Sequence, residues 1–290
     1  MPEIVTAWTK GELRELVSTG DLLAGGTDLL VQLQKGRKPA RLVDVSKLLD
    51  GPAPIRAMGP QLEVSALISL GRLSKELDGV LPSLEMSVAL FGSVRIRNRA
   101  TIGGNLGNAS PAGDTIPPLV AADAVAVLEG AAGSRRVPVA ELVTGPGKTV
   151  VGNDEWIDMV VVPVASGEEG FRKFGTRKAD AISIVSLAWR WRRDEDGTLH
   201  DVALAFGAVA PTVVRARRAE AELEGRRPDE KVIEQVVVAL ESDISPIDDI
   251  RASARFRREM SGVLLREELG SRQRPLSGRT MVRTTPRRSA

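Results

Sequence analysis

Residues 100–114 read Ala100-Thr101-Ile102-Gly103-Gly104-Asn105-Leu106-Gly107-Asn108-Ala109-Ser110-Pro111-Ala112-Gly113-Asp114. The run is too short of apolar residues for a core element and too rich in glycine for a stable helix, which predicts a loop built to approach a ligand. Gly103, Gly104 and Gly107 let the backbone come close to another group, while Thr101, Asn105, Asn108, Ser110 and Asp114 supply hydroxyl, amide and carboxylate partners. A tight surface turn would have much the same composition, and it is a second stretch of the same kind that separates the two readings.

That second stretch is Leu23-Ala24-Gly25-Gly26-Thr27-Asp28-Leu29, between an apolar stub that reads as a strand and a segment, Leu29 to Gln34, that reads as a helix. A strand, a Gly-Gly turn and a helix start expose backbone N–H groups, and with Thr27 or Asp28 as cap they suit a phosphate or pyrophosphate. Neither stretch is a familiar nucleotide fingerprint. No G-x-G-x-x-G follows a strand, and Gly147-Lys148-Thr149 only mimics the end of a P-loop, because the required first glycine falls at Leu142.

The two stretches in this order, about 75 residues apart, resemble the FAD-binding (medium) subunit of the molybdenum hydroxylases, the family of xanthine dehydrogenase and aerobic carbon monoxide dehydrogenase. Ala24 to Leu29 is similar to the family's first FAD loop, and Thr101 to Asn105 with Ala109-Ser110-Pro111 and Asp114 is similar to the second. A third stretch, Phe171-Arg172-Lys173-Phe174-Gly175-Thr176-Arg177-Lys178-Ala179-Asp180-Ala181-Ile182-Ser183, resembles the family's segment near the flavin ring. The resemblance covers residues 1–270. It implies a two-lobed α+β FAD-binding domain of the PCMH type over 1–168, and a smaller α+β domain with a three-stranded sheet and helices over 169–270. The polar break Gly167 to Gly170 is taken as the boundary.

The bulk composition fits a soluble protein: 42% of the 290 residues are hydrophobic, enough for a packed core. No stretch approaches the roughly 18 consecutive apolar residues of a membrane span, and no signal peptide is legible, so the expected location is the cytoplasm. The chain has no cysteine and one histidine, His200, so disulfides, thiolate chemistry and a cluster held by this chain are excluded, and no set of transition-metal ligands is in sight. His200 sits at an expected hairpin and reads as a surface residue. The formal net charge is +2, but residues 271–290 carry six arginines and no acid, leaving 34 basic against 38 acidic residues in the body, a net charge of −4. With 3% aromatics and no tyrosine, the body has few stacking platforms for bases, and nucleic acid is not expected as a partner. The arginine-rich tail is expected to be disordered.

Along the chain, Thr9-Lys10-Gly11-Glu12 reads as a capping box and Pro82 to Leu90 as a helix begun by proline. Val94-Arg95-Ile96-Arg97-Asn98-Arg99 alternates apolar and cationic residues, as a half-exposed strand does; its arginines form either a solvated face or a docking surface for an acidic partner. Strands are expected at 55–58, 62–66, 124–128, 135–138, 160–164, 171–176, 181–190 and 202–207, and helices at 216–223, 229–240 and 252–269.

The resemblance implies that FAD lies along Leu23, Ala24, Gly25, Gly26, Thr27, Asp28 and Leu29 on one side and Ala100, Thr101, Gly103, Gly104, Asn105, Asn108, Ser110 and Asp114 on the other. Phe91 falls where the family stacks a phenylalanine on the flavin, and Ile157, just before a strand, matches the apolar residue on the opposite face; an ordinary core contact would look the same at either position. Lys173 is the catalytic candidate: a cation beside the ring would stabilise the negative charge that builds on N1 and O2 during reduction. Asp180 lies in the same segment, flanked by Ala179 and Ala181 where xanthine dehydrogenases tend to carry acids, so NAD as acceptor stays open. The implied partners are a [2Fe-2S] small subunit and a molybdenum cofactor-binding large subunit, in a dimer of heterotrimers, with NAD or another acceptor receiving the electrons. A carbon monoxide dehydrogenase-type medium subunit and a stand-alone FAD-dependent oxidase of the same fold are the alternatives.

Overall fold

Thr9 opens the first helix as its sequence dictates: its side chain accepts from the N–H of Glu12 at 3.1 Å, while the Glu12 carboxylate accepts from the N–H of Trp8 at 2.8 Å. The computed structural model describes residues 2–50, 54–177 and 181–270, so Lys178, Ala179, Asp180 and the arginine-rich tail lie outside the described residues. The first lobe runs β1 (Glu3–Thr6), α1 (Lys10–Leu16), β2 (Asp21–Leu23), α2 (Leu29–Gln34) and β3 (Arg41–Asp44), and its strands form a parallel sheet in the order β1-β3-β2. Its small core of Ala7, Leu13, Val17, Val43 and Val45 is completed from far along the chain by Trp156. Lys10 also pairs with Asp158 at 2.6 Å, and the Arg14 guanidinium lies 5.9 Å from the Trp156 ring.

The second lobe contains β4 (Ile55–Met58), β5 (Gln61–Ser65), α3 (Leu70–Leu77), α4 (Pro82–Ala89), α5 (Val94–Arg97), α6 (Ile102–Asn108), α7 (Ile116–Ala121), β6 (Val125–Gly130), β7 (Gly133–Pro138), α8 (Val139–Leu142), β8 (Val143–Gly145), β9 (Lys148–Thr149) and β10 (Glu155–Pro163). Five of these strands make an antiparallel sheet, β4-β5-β10-β6-β7.

Two elements here correct the sequence reading. Val94–Arg97 is a helical turn rather than a half-exposed strand: Ser93 caps it by accepting from the N–H of Ile96, and four residues are too few for period 2 to be told from period 3.6. Within residues 100–114 the chain also forms a helix, α6, despite its glycines. Thr101 caps α6 by accepting from Gly104 N–H at 3.0 Å, and Ile102 and Leu106 are fully buried. Gly103 packs against Ala66 so closely that a Cβ would lie 2.6 Å from the Ala66 methyl group. That packing outweighs a propensity cost of roughly 1 kcal/mol per glycine.

The remaining residues form β11 (Glu168–Gly175), β12 (Ser183–Arg193), β13 (Leu199–Gly207), β14 (Val214–Arg215), α9 (Arg217–Leu223), α10 (Glu230–Glu241) and α11 (Ala254–Gly270). The expected three-stranded sheet is three long antiparallel strands with the two-residue β14 added at the edge. The polar break at Gly167 to Gly170 is largely strand, since β11 starts at Glu168 and pairs with Trp191. This sheet is buried on both faces. Ala188, Ala203 and Ala205 face the second lobe, and Leu187, Trp189, Leu204 and Phe206 face the helices. Small side chains on one face let α7 lie close, and Asp123 just beyond α7 pairs with Arg190 at 3.2 Å and Arg215 at 2.6 Å. Among the described residues no helix is long and apolar enough to cross a membrane.

Candidate functional site

The segment after β2 is shaped by backbone, not side chains. Gly26 has φ +74°, a left-handed conformation that glycine adopts without strain. Asp28 stands at the cap position of α2 but makes no capping bond with its side chain, contrary to the expectation of a Thr27 or Asp28 cap. The N–H groups of Gly25, Gly26, Thr27, Asp28 and Leu29 donate to no acceptor among the described residues. The walls around the Asp28 carboxyl desolvate it and push its pKa above the ordinary carboxylate value, although the residue reaches solvent.

The second stretch faces the first. Gly25 meets the chain just before α6 so closely that a Cβ there would lie 2.0 Å from the Arg99 carbonyl oxygen, and the Gln32 amide donates to Asn108 Oδ1 at 3.2 Å. At α6, by contrast, the first N–H groups are already engaged: Ile102 donates to Ile68 O, Gly103 to Ala66 O and Gly104 to Thr101 Oγ1. Among the described residues the free backbone N–H groups therefore belong to the 25–29 loop, while α6 contributes side chains. Asn105 Oδ1 accepts from Thr115 Oγ1 at 2.7 Å, which leaves its amide nitrogen as a donor.

Between the two stretches runs a cleft of about 650 Å³, lined by Ala24 to Leu29, Phe91, Ala100, Thr101, Gly103 to Asn105, Asn108, Trp156 and Ile157. A second cleft of about 440 Å³ shares Thr27, Asp28, Phe91, Asn105 and Asn108 with it and continues toward the C-terminal domain past Ser110, Asp114, Ile182, Ser183 and Arg257. Gly107 lines the first cleft, and a Cβ there would meet no protein atom within 4 Å, so the space is open to a ligand. Shape and unpaired backbone donors suit a long, kinked molecule with a pyrophosphate at its middle.

The family described as the FAD binding domain in molybdopterin dehydrogenase matches residues 6–165, and the CO dehydrogenase flavoprotein C-terminal domain matches residues 170–271. The chain belongs to this flavoprotein family. It is 30% identical over 242 residues to the xanthine dehydrogenase FAD-binding subunit of Escherichia coli O157:H7, covering 81% of this chain and 82% of that one. It is 26% identical to the carbon monoxide dehydrogenase medium chain of Hydrogenophaga pseudoflava, covering 89% and 91%. A chain of the carbon monoxide dehydrogenase structure from the same organism superposes with a TM-score of 0.86 at 28% identity, covering 92% and 95%. The cofactor of the flavoprotein is FAD, and the protein is an oxidoreductase subunit.

With the family in place, the expected site residues can be located. Both glycine stretches, Phe91 and Ile157 line the first cleft, and Ile157 lies within β10 at a bulge rather than just before a strand. Leu23 is the last residue of β2, with its side chain under Gly26, and lines neither cleft. Asp180 falls outside the described residues. Lys173 departs most from expectation. Its side chain is only 8% exposed and lines neither cleft; its Nζ donates to Asp114 Oδ2 at 2.7 Å and to Ala181 O at 3.0 Å. Ser183 Oγ donates to the other Asp114 oxygen at 2.5 Å. Burial pushes the Asp114 carboxyl above its ordinary value, against the opposing pull of Lys173 and Ser183.

The surface arginines also divide. Arg97 donates to Phe91 O at 2.9 Å and Gly92 O at 2.7 Å, fixing the turn that carries the Phe91 ring, and Arg99 Nε donates to Gly25 O at 3.4 Å. Only Arg95 of the three stands clear of the cleft's framework as an exposed charge. Sequence reasoning missed Ser183 as a site residue, and it missed Arg257, which lines the second cleft and donates to Ile184 O, Ala208 O and Asp249. Burial of one arginine in a helix that also carries Arg255 and Arg258 leaves no mark in the sequence.

Phe91 is half-buried at the junction of both clefts. Phe91→Ala is expected to weaken FAD binding without removing it, since a lost stacking ring costs about 0.5–1.5 kcal/mol beyond its area burial. A flavin-fluorescence titration checks this, and an unchanged dissociation constant would remove the ring from the site.

Proposed function

We propose that this chain is the electron-transfer subunit of a molybdenum hydroxylase, taking electrons from a partner [2Fe-2S] subunit and passing them through FAD to NAD or another acceptor. The observation that carries the reading is the row of five backbone N–H groups, Gly25 to Leu29, left without acceptors among the described residues beside an open cleft of about 650 Å³. These N–H groups would hold the pyrophosphate without a metal, with Asn105 and Ser110 as partners for phosphate or ribityl oxygens. Phe91 and Ile157 would give the ring apolar walls that exclude water. FAD supplies an exchange between one-electron and two-electron carriers; the protein binds, orients and tunes it.

The division of labour follows from the donor set. A chain without cysteine needs a partner for its iron–sulfur relay and another for the molybdenum centre, in a dimer of heterotrimers whose domain division in this subunit falls at 168/169. The exposed apolar residues Val94 and Ile96 beside Arg95, at the mouth of the cleft near Phe91, support docking of the iron–sulfur subunit there. Charge reversal at Arg95 tests that surface; Arg97 and Arg99 do not serve, because they hold the flavin site together.

The recombinant chain is expected to carry FAD non-covalently, as the cleft presents no cysteine or histidine to form a flavin bond. Acid precipitation should release the yellow colour into the supernatant. Colour that stays with the pellet, or a chain that takes up no flavin on reconstitution, would overturn the reading.

A further inference from the structure

We propose that the charge met by the flavin ring is the Asp114–Lys173 ion pair and not the Lys173 ammonium by itself, so that Asp114 is a positioning residue for the flavin's redox poise. The inference rests on the FAD reading above and concerns only how that site is tuned. Asp114 lines the second cleft, whereas Lys173 lies behind it on β11. The two side chains are 7% and 8% exposed, at 2.7 Å, so solvent contributes little screening to either. Two of the three ammonium donors are committed, to Asp114 Oδ2 and Ala181 O, and Ser183 supplies a hydroxyl to the remaining Asp114 oxygen. The pair thus pins the end of the 100–114 segment to β11 and β12, and the surface it offers a ligand is carboxylate backed by a cation, close to neutral in sum.

The consequence differs from that of a lone lysine. Two electrons arriving at the flavin with one proton leave a negative charge on the ring, which a free ammonium would stabilise and a compensated one would not. Removing the carboxylate uncovers the cation, and removing the cation uncovers the carboxylate. The two changes should move the flavin in opposite directions and cancel when combined. Other charged groups on the same cleft, Asp28 and Asp249 with its partners Arg251 and Arg257, are common to every variant and leave the comparison unaffected.

The test is the midpoint potential of the FAD-loaded chain, followed by visible absorbance against reference dyes, together with its affinity for oxidised FAD. Asp114→Asn is expected to raise the potential and Lys173→Met to lower it, each by about a tenfold change in the preference for reduced over oxidised flavin, roughly 30 mV for a two-electron couple. The double variant should return toward the parent value. A double variant that matches Lys173→Met, with Asp114→Asn unshifted, would restore the lone lysine and overturn the proposal. Variants that lose affinity for FAD while keeping the parent potential would overturn it too, since that is the signature of a merely structural contact. If Asp114→Asn holds no flavin, Ser183→Ala decides: stripping the hydroxyl from Asp114 concentrates its charge and should lower the potential, and an unmoved potential counts against the pair. A parent chain that binds no FAD at all is a failure of the FAD reading instead.

Discussion

Replacement of Gly25 by alanine is expected to weaken FAD binding sharply. The added Cβ would lie 2.0 Å from the Arg99 carbonyl oxygen, 2.7 Å from its carbon and 3.1 Å from the Ala100 Cα, all of them backbone atoms that no rotamer change can clear. Overpacking of this kind typically costs about 1–3 kcal/mol, and here the strain falls on the contact that holds the unpaired N–H groups against the α6 side. FAD affinity should drop by about tenfold to a hundredfold or more on that scale, with a lowered melting temperature. Gly107→Ala is the contrast, because its Cβ meets nothing in the protein and relieves a helix-propensity cost, so the fold should melt no lower than the parent. Fluorescence titration and a thermal melt on the two variants check the claim; parent-like FAD affinity in Gly25→Ala would show that the two stretches need not touch. The obstacle at the neighbouring Gly26 is of another kind. At Gly26 the obstacle is the positive φ, and the added Cβ would face Leu23 and Leu30.

The second large effect concerns what the chain does alone. Oxidation of a C–H bond with water as oxygen source needs a molybdenum centre, and this chain has neither cysteine nor more than one histidine to hold such a centre or its relay. Turnover of xanthine, carbon monoxide or an aldehyde by the isolated FAD-loaded chain is therefore expected to stay at background. Chemically reduced flavin in the same sample should still be reoxidised by an external acceptor. Steady-state assays with and without co-expressed partners settle the matter, and substrate oxidation by the single chain would replace the subunit with a stand-alone oxidase.

The sequence was informative where chemistry is written in residue type and silent where it depends on packing. Gly25-Gly26 and Thr101 to Asn105 are legible because few other residues tolerate such close backbone approach, and the two stretches line one cleft. Helix α6 was not legible: glycine propensity argues against it, and only the buried Ile102 and Leu106 with the Thr101 cap overcome that preference. Period failed at α5 for want of length. Lys173 is buried in an ion pair rather than solvated, and its neutralisation by Asp114, 59 positions away, is a tertiary fact with no local signal. The same holds for Arg257, whose three acceptors come from β12, the turn after β13 and Asp249.

Trp156 gives the first lobe a peculiar history during synthesis. Its ring completes the core around Leu13, Val17 and Val43, and the adjacent Asp158 holds Lys10, so a lobe encoded at the start of the gene depends on a strand more than a hundred residues later. At roughly 5–20 residues per second, the nascent first lobe waits on the order of ten seconds on the ribosome for its missing piece. The part of the subunit that emerges first therefore cannot be finished until β10, the last strand of the second lobe, has been made.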